Sequence, residues 1–139
     1  MKRTNSKRRN NIPDSRKLPV ETLAACVGLD WGDTRHDGAL LPAGSQEVET
    51  FSIEQTPEAL HQWATDLRER FGGRPVAVCL EQSRGPLIYA LLRFDFLVLC
   101  PINPKQLARY REALQPSGAK DDPGDAAVIL DFLVKHSDR

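Results

Sequence analysis

The sequence predicts an α/β domain with a mixed sheet flanked by helices. Three observations carry this. Three short strand-like runs follow one another with tight connections, which suits an antiparallel meander. Strand and helix patterns then alternate, which suits parallel pairing. At 139 residues, 40% of them hydrophobic, the chain is sized for one domain with a real core.

The elements follow in order. Residues 1–20 are polar, basic and rich in Asn, Ser and Pro, and read as a flexible arm ahead of a domain over 21–139. Ala25–Asp30 reads as a buried strand that ends in an acid. Shorter strands are expected near Asp37–Leu41 and Glu47–Ile53, separated by a turn carrying Pro42, Gly44 and Ser45. A helix begins at Pro57, with Thr56 as its cap and Glu58 suiting the N-terminal dipole. Leu60, Trp63, Ala64, Leu67 and Phe71 form its apolar stripe, and Gly72-Gly73 stops it. Pro75–Leu80 is the fourth strand and runs into Glu81. A helix over about 86–93 leads to a strand over Phe96–Leu99, then a loop punctuated by Pro101 and Pro104. Asn103 caps a helix over Lys105–Leu114, and a last helix starts near Asp122-Pro123.

Charge and composition exclude several classes. Nineteen bases balance nineteen acids, yet the zero sum joins unlike parts. Residues 1–20 carry +6 and residues 21–139 carry −6. The arm's bases, including Lys2, Arg3, Lys7, Arg8 and Arg9, have no aromatic residue among them, a pattern suited to phosphate contact or to a solvated tail. Arg109 and Arg111 flank Tyr110 as a second candidate patch, against the plainer reading of a solvated helix face. No apolar run is long enough to span a membrane, and no signal-peptide core follows the basic start, so a cytoplasmic location is expected. Cys26, Cys79 and Cys100 sit in strand-like runs without a CxxC spacing and read as reduced core residues. The three histidines show no zinc-ligand spacing.

Four acids stand out by position. Asp30 and Glu81 each end an apolar strand, where α/β sheets gather functional groups. Asp122 and Asp125 are three apart at a helix start, hence on one face. Taken alone, Asp-Pro-Gly-Asp is also a good helix cap, Asp30 suits a turn and Glu81 suits a salt bridge. If the four meet, like charges at 4–5 Å repel by about 3–4 kcal/mol at an effective dielectric near 20, so cations are required. All-oxygen ligands select Mg²⁺ or Mn²⁺. A pair of such ions serves phosphodiester displacement.

Asp30, Leu80-Glu81-Gln82-Ser83-Arg84-Gly85, Asn103-Pro104 and Lys120-x-Asp122-x-x-Asp125-Ala126 together resemble one family. It is the DEDD transposases of bacterial insertion sequences, the insertion sequence 110 family, related to the Piv DNA invertase. The resemblance covers about residues 24–136. It implies a RuvC-like RNase H fold with a five-stranded sheet, and Asp30, Glu81, Asp122 and Asp125 as a catalytic tetrad binding two Mg²⁺ or Mn²⁺ ions. It further implies DNA transposition guided by a structured bridge RNA, and a homo-oligomer at full length. Nucleic-acid contacts would then come from basic residues such as Lys105, Arg109, Arg111 and Lys120, with the arm. Family members carry a serine-bearing second domain, which the resemblance places outside residues 1–139. Ser83-Arg84-Gly85 also replaces the compact Thr-Gly that follows the acid in many members.

Other readings share some residues. Gly28–Thr34 resembles the first phosphate loop of the actin and sugar-kinase superfamily, where the Lys-x-Asp-x-x-Asp-Ala string has no place. A nuclease resembling Holliday-junction resolvases suits the four acids equally. A truncated nucleic-acid-binding remnant would keep the fold without completing a reaction.

Overall fold

The computed structural model describes residues 22–81, 85–114 and 125–136. Five strands run in chain order: β1 (Ala25–Asp30), β2 (Arg35–Pro42), β3 (Glu49–Glu54), β4 (Val76–Glu81) and β5 (Leu97–Ile102). The helices are α1 (Pro57–Arg70), α2 (Gly85–Leu91), α3 (Pro104–Leu114) and α4 (Asp125–His136). The strands form one sheet in the order β3-β2-β1-β4-β5. β1–β2 and β2–β3 are antiparallel, while β1–β4 and β4–β5 are parallel. This is the expected meander feeding a parallel half, an α/β fold consistent with an RNase H-like domain.

The two faces of the sheet differ in side-chain size. Val27 and Leu29 of β1 and Val76, Val78 and Leu80 of β4 join a core with α1 and α2 residues such as Leu67 and Leu87. The opposite face carries Cys26, Ala39, Ala77 and Cys79, packed under Ala126, Ile129 and Leu130 of α4 and Leu107 of α3. Strand alternation sorts the two sets. The small set lets α4 settle close to the sheet. A Cβ built on Gly28 would lie 2.4 Å from both the Ala126 carbonyl oxygen and the Leu130 nitrogen. At this position glycine is required by a backbone passing over it, whatever its own dihedral preference.

Local signals explain the helix ends. The Thr56 hydroxyl accepts the Ala59 N–H at 3.0 Å, and Pro57 opens α1. Gly72 and Gly73, at φ +63° and +79°, turn the chain out of it. The Asn103 side chain accepts the Lys105 N–H at 2.7 Å and caps α3 as expected. Trp63 of the α1 stripe is half-buried and stacks on Phe51 of β3 at 5.6 Å between ring centroids.

One expectation is corrected. Pro101 was expected in a loop, but β5 continues through it to Ile102. β5 is an edge strand, where a missing N–H breaks no ladder toward a further neighbour. The start expected for the last helix at Asp122-Pro123 and the arm over 1–20 lie outside the described residues.

Cys26 and Cys79 are buried and Cys100 is half-buried, and none of the three is in a disulfide. Burial, reinforced by the neighbouring Cys100, pushes the Cys26 thiol up to about 11 and the Cys79 thiol higher still. Both are therefore held protonated, as core residues rather than nucleophiles.

Candidate active site

Asp30 is the last residue of β1, and Glu81 the last of β4. The parallel register pairs Ala25 with Val76 and continues to Gly28 with Cys79. Carried on for two residues, it sets Asp30 beside Glu81. Alternation then puts both on the same face as Cys26, Gly28, Ala77 and Cys79, which is the face covered by α4. Both carboxylates are half-buried.

α4 brings the third acid to this end of the sheet. Asp125 is its first residue, and Ala126, the next, rests its carbonyl over Gly28. Gly28 lies only two residues before Asp30, so the close seating of α4 places Asp125 near the β1 terminus. Asp30 and Asp125 line one cleft of about 460 Å³, together with Asp37, Thr50, Ser52 and Ala127. Asp125 opens α4, a position where an acidic residue suits the helix dipole.

Glu81 does not line this cleft, although the register sets it alongside Asp30. Asp122 lies outside the described residues. Among the described residues no three His, Cys, Asp or Glu side chains form a metal-binding group. The donor chemistry of Asp30, Asp125 and Glu81 is all carboxylate, which fits Mg²⁺ or Mn²⁺ and not a soft metal.

Asp37 was not singled out from the sequence. It stands directly opposite Asp30 in the antiparallel register. Its carboxylate accepts the Ser52 hydroxyl at 3.0 Å and lies 3.5 Å from the Arg35 guanidinium. Opposed like charges across a strand pair are unfavourable without a counter-cation. The signal was available: an acid ending one strand, a short hairpin, and an acid at the start of the next.

The hairpin after Asp30 is held by His36, which is buried at 3% exposure. Its Nδ1 accepts the Gly32 N–H at 3.3 Å, and its ring lies 4.5 Å from that of Trp31. Burial lowers the His36 pKa, partly opposed by Asp37. An imidazole whose folded pKa lies below its unfolded value binds more protons when unfolded. Stability from this group is therefore present above about pH 6.5 and is lost as pH falls toward the depressed folded value. The expected result is a fall in Tm between pH 7.5 and 5.5 that is larger for the parent chain than for His36→Asn. Equal falls in the two proteins would remove His36 as the source.

The basic candidates divide. Lys105 and Arg109 are exposed on α3. Arg111 instead turns to α4, where its guanidinium donates to the Asp125 carboxylate. Tyr110 also turns to α4: its hydroxyl donates to Asp131, and its ring meets Phe132 edge-on at 5.3 Å. Burial and that hydrogen bond push the phenol up to about 12. Lys2, Arg3, Lys7, Arg8, Arg9 and Lys120 lie outside the described residues. No helix among the described residues is long and apolar enough to cross a membrane.

Comparison with known proteins gives the chain a family and relatives. The family model of the insertion sequence 110 DEDD group, described as a transposase, matches residues 27–139. A candidate transposase of Sinorhizobium fredii, y4uE, is 31% identical over 110 residues, covering 77% of this chain and 30% of that protein. A mini-circle candidate transposase for insertion sequence 117 of Streptomyces coelicolor is 30% identical over 115 residues, covering 81% of this chain and 28% of that protein. The chain thus spans under a third of the length of these relatives.

Proposed function

The chain belongs to the DEDD transposase family of insertion sequence 110, and from that premise we propose that it is the metal-binding domain of a transposase that breaks and joins DNA phosphodiesters under the guidance of a structured RNA. The observation that carries the reading is the cleft shared by Asp30 and Asp125. These residues come from the first strand and the last helix, and nothing in core packing needs two carboxylates there.

Asp30, Glu81, Asp122 and Asp125 are the residues that would hold two Mg²⁺ or Mn²⁺ ions. Such a pair, when bound, stabilises the attacking and leaving oxygens of an in-line displacement. The chain's own residues supply position and charge. β1 and β4 fix Asp30 and Glu81 on rigid strand ends. α4 fixes Asp125 through its contact with Gly28. Lys105 and Arg109, exposed on α3, are suited to contact a phosphate backbone. The basic residues Lys2, Arg3, Lys7, Arg8, Arg9 and Lys120 would extend that contact to DNA or RNA. The family matched is a transposase family, which favours this reading over the resolvase and kinase-like ones.

The direct test is calorimetric titration of the chain with Mn²⁺. Saturable binding that is reversed by a chelator is the expected result. A flat titration at millimolar Mn²⁺ would overturn the two-ion reading while leaving the family membership untouched.

A further inference from the structure

We propose that Arg111 is a built-in counter-cation for this cleft: it holds the Asp125 carboxylate in the metal-free chain and is displaced when a divalent ion takes that carboxylate. The proposal rests on the reading of Asp125 as a metal ligand. It adds a residue that governs when the ligand is available.

The starting point is charge. Three carboxylates, Asp30, Asp37 and Asp125, line one cleft. Asp37 has Arg35 beside it, and Asp125 has Arg111. Arg111 reaches Asp125 from a separate helix, α3, and its guanidinium donates to Oδ1. A divalent ion requires carboxylate oxygen lone pairs, so a guanidinium already bonded to one of them competes for the same acceptor.

The pair is also placed to exchange. The Arg111 side chain is 32% exposed and that of Asp125 is 50% exposed. Solvent reaches both partners and screens their attraction, so separation leaves no buried unpaired charge. A fully buried ion pair would behave differently, because losing one partner would strand the other out of water.

The docking of α3 does not depend on this pair. Leu107 is buried against the α4 residues, Tyr110 donates to Asp131, and the Tyr110 ring packs on Phe132. Asp131 is further held by Lys135, one turn on, at 3.3 Å. These contacts keep the two helices together while the Arg111 side chain moves. Arg111 also lies in the last turn of α3, where its own charge is favoured by the helix terminus. Displacement therefore costs the protein a side-chain rearrangement and not a change of fold.

Competition of this kind has a measurable signature. A ligand whose site is partly occupied by an internal competitor shows an affinity reduced by the free fraction, and removing the competitor restores it. Arg111→Gln should bind Mn²⁺ about fivefold more tightly than the parent, the size expected for a solvent-reached pair with good geometry. Arg109→Gln removes the same charge from the same helix, from a side chain that is exposed on α3. It should change the affinity less than Arg111→Gln does. Arg111→Lys keeps the charge but loses the planar fork, and should fall between parent and Arg111→Gln. Circular dichroism and melting curves would check that each variant keeps the fold.

The outcomes separate the two readings. Tighter binding in Arg111→Gln than in the parent and in Arg109→Gln supports the proposal. Equal affinities in parent, Arg109→Gln and Arg111→Gln, with binding weakened in Asp30→Asn, overturn the role of Arg111 and leave the metal site standing. Binding unaffected by Asp30→Asn, or absent from parent and Arg111→Gln alike, overturns both.

Discussion

Asp30→Asn is expected to weaken Mn²⁺ binding by about 100-fold or more, because even residues that only orient a ligand typically contribute 10–100-fold in metal affinity. The substitution is close to isosteric. It leaves β1 free to keep its register with β2 and β4, because the strand is set by Val27 and Leu29 on one face and Gly28 on the other. It also removes one of two opposed negative charges, since Asp37 stands directly across the strand pair. Like charges in that arrangement disfavour the fold. Melting temperature should therefore be maintained in the variant while metal affinity collapses. That combination is the mark of a functional group and not of a structural one. Asp37→Asn is the informative comparison. Its carboxylate is already engaged by Ser52 and Arg35, so its loss should reduce affinity much less. If Asp30→Asn bound Mn²⁺ as the parent does, Asp30 would be left with a purely structural part in the hairpin.

Much of this site is legible in the sequence because strand ends are legible. Leu29-Asp30 and Leu80-Glu81 each close an apolar run with an acid, and the run itself predicts the strand. The parallel pairing of β1 with β4 then brings the two acids to one end, which follows once the meander occupies the other side of β1. Asp125 was legible through its spacing from Asp122, although only Asp125 falls in a described element. Less was visible where function depends on tertiary contact. Asp37 reaches the cleft through cross-strand register, which a one-dimensional reading does not supply unless the hairpin is drawn out. Tyr110 and Arg111 looked like part of a basic patch with Arg109, because local sequence cannot say which side of α3 meets another helix. The turn of α3 settles it: Leu107, Tyr110 and Arg111 lie three and four residues apart on the α4 side, and Lys105 and Arg109 lie on the exposed side. Pro101 was read as a strand breaker, and the edge position of β5 explains why it is not one.

Gly28→Ala should be the most damaging single-methyl change in the sheet. The added carbon would sit 2.4 Å from the Ala126 carbonyl oxygen and the Leu130 nitrogen, and 2.9 Å from the Leu130 Cα. All three are backbone atoms of α4, so no rotamer change relieves the clash. The helix has to lift, and with it go Ile129, Leu130 and Leu133, which are buried against the small residues of this face. Overpacking of a core typically costs 1–3 kcal/mol, and a clash with helix backbone puts Gly28→Ala at about 3 kcal/mol or beyond. For a domain of this size that corresponds to a fall in Tm of roughly 10 °C. Gly38→Ala separates this cause from a general intolerance of side chains at strand glycines. Its Cβ would come still closer to a neighbour, 2.1 Å, but that neighbour is the Phe51 ring on edge strand β3, which can rotate away. Its Tm should fall by less than half as much. The two variants also differ in their effect on the cleft. Lifting α4 carries Asp125 away from Asp30, so Gly28→Ala should bind Mn²⁺ more weakly even at temperatures where it is fully folded. Gly38 and Phe51 also line the cleft, but Gly38→Ala displaces a side chain of β3 and leaves α4 seated, so its affinity should fall less than that of Gly28→Ala. Equal losses of affinity in the two variants would mean that the position of Asp125 is not set by how closely α4 sits on β1.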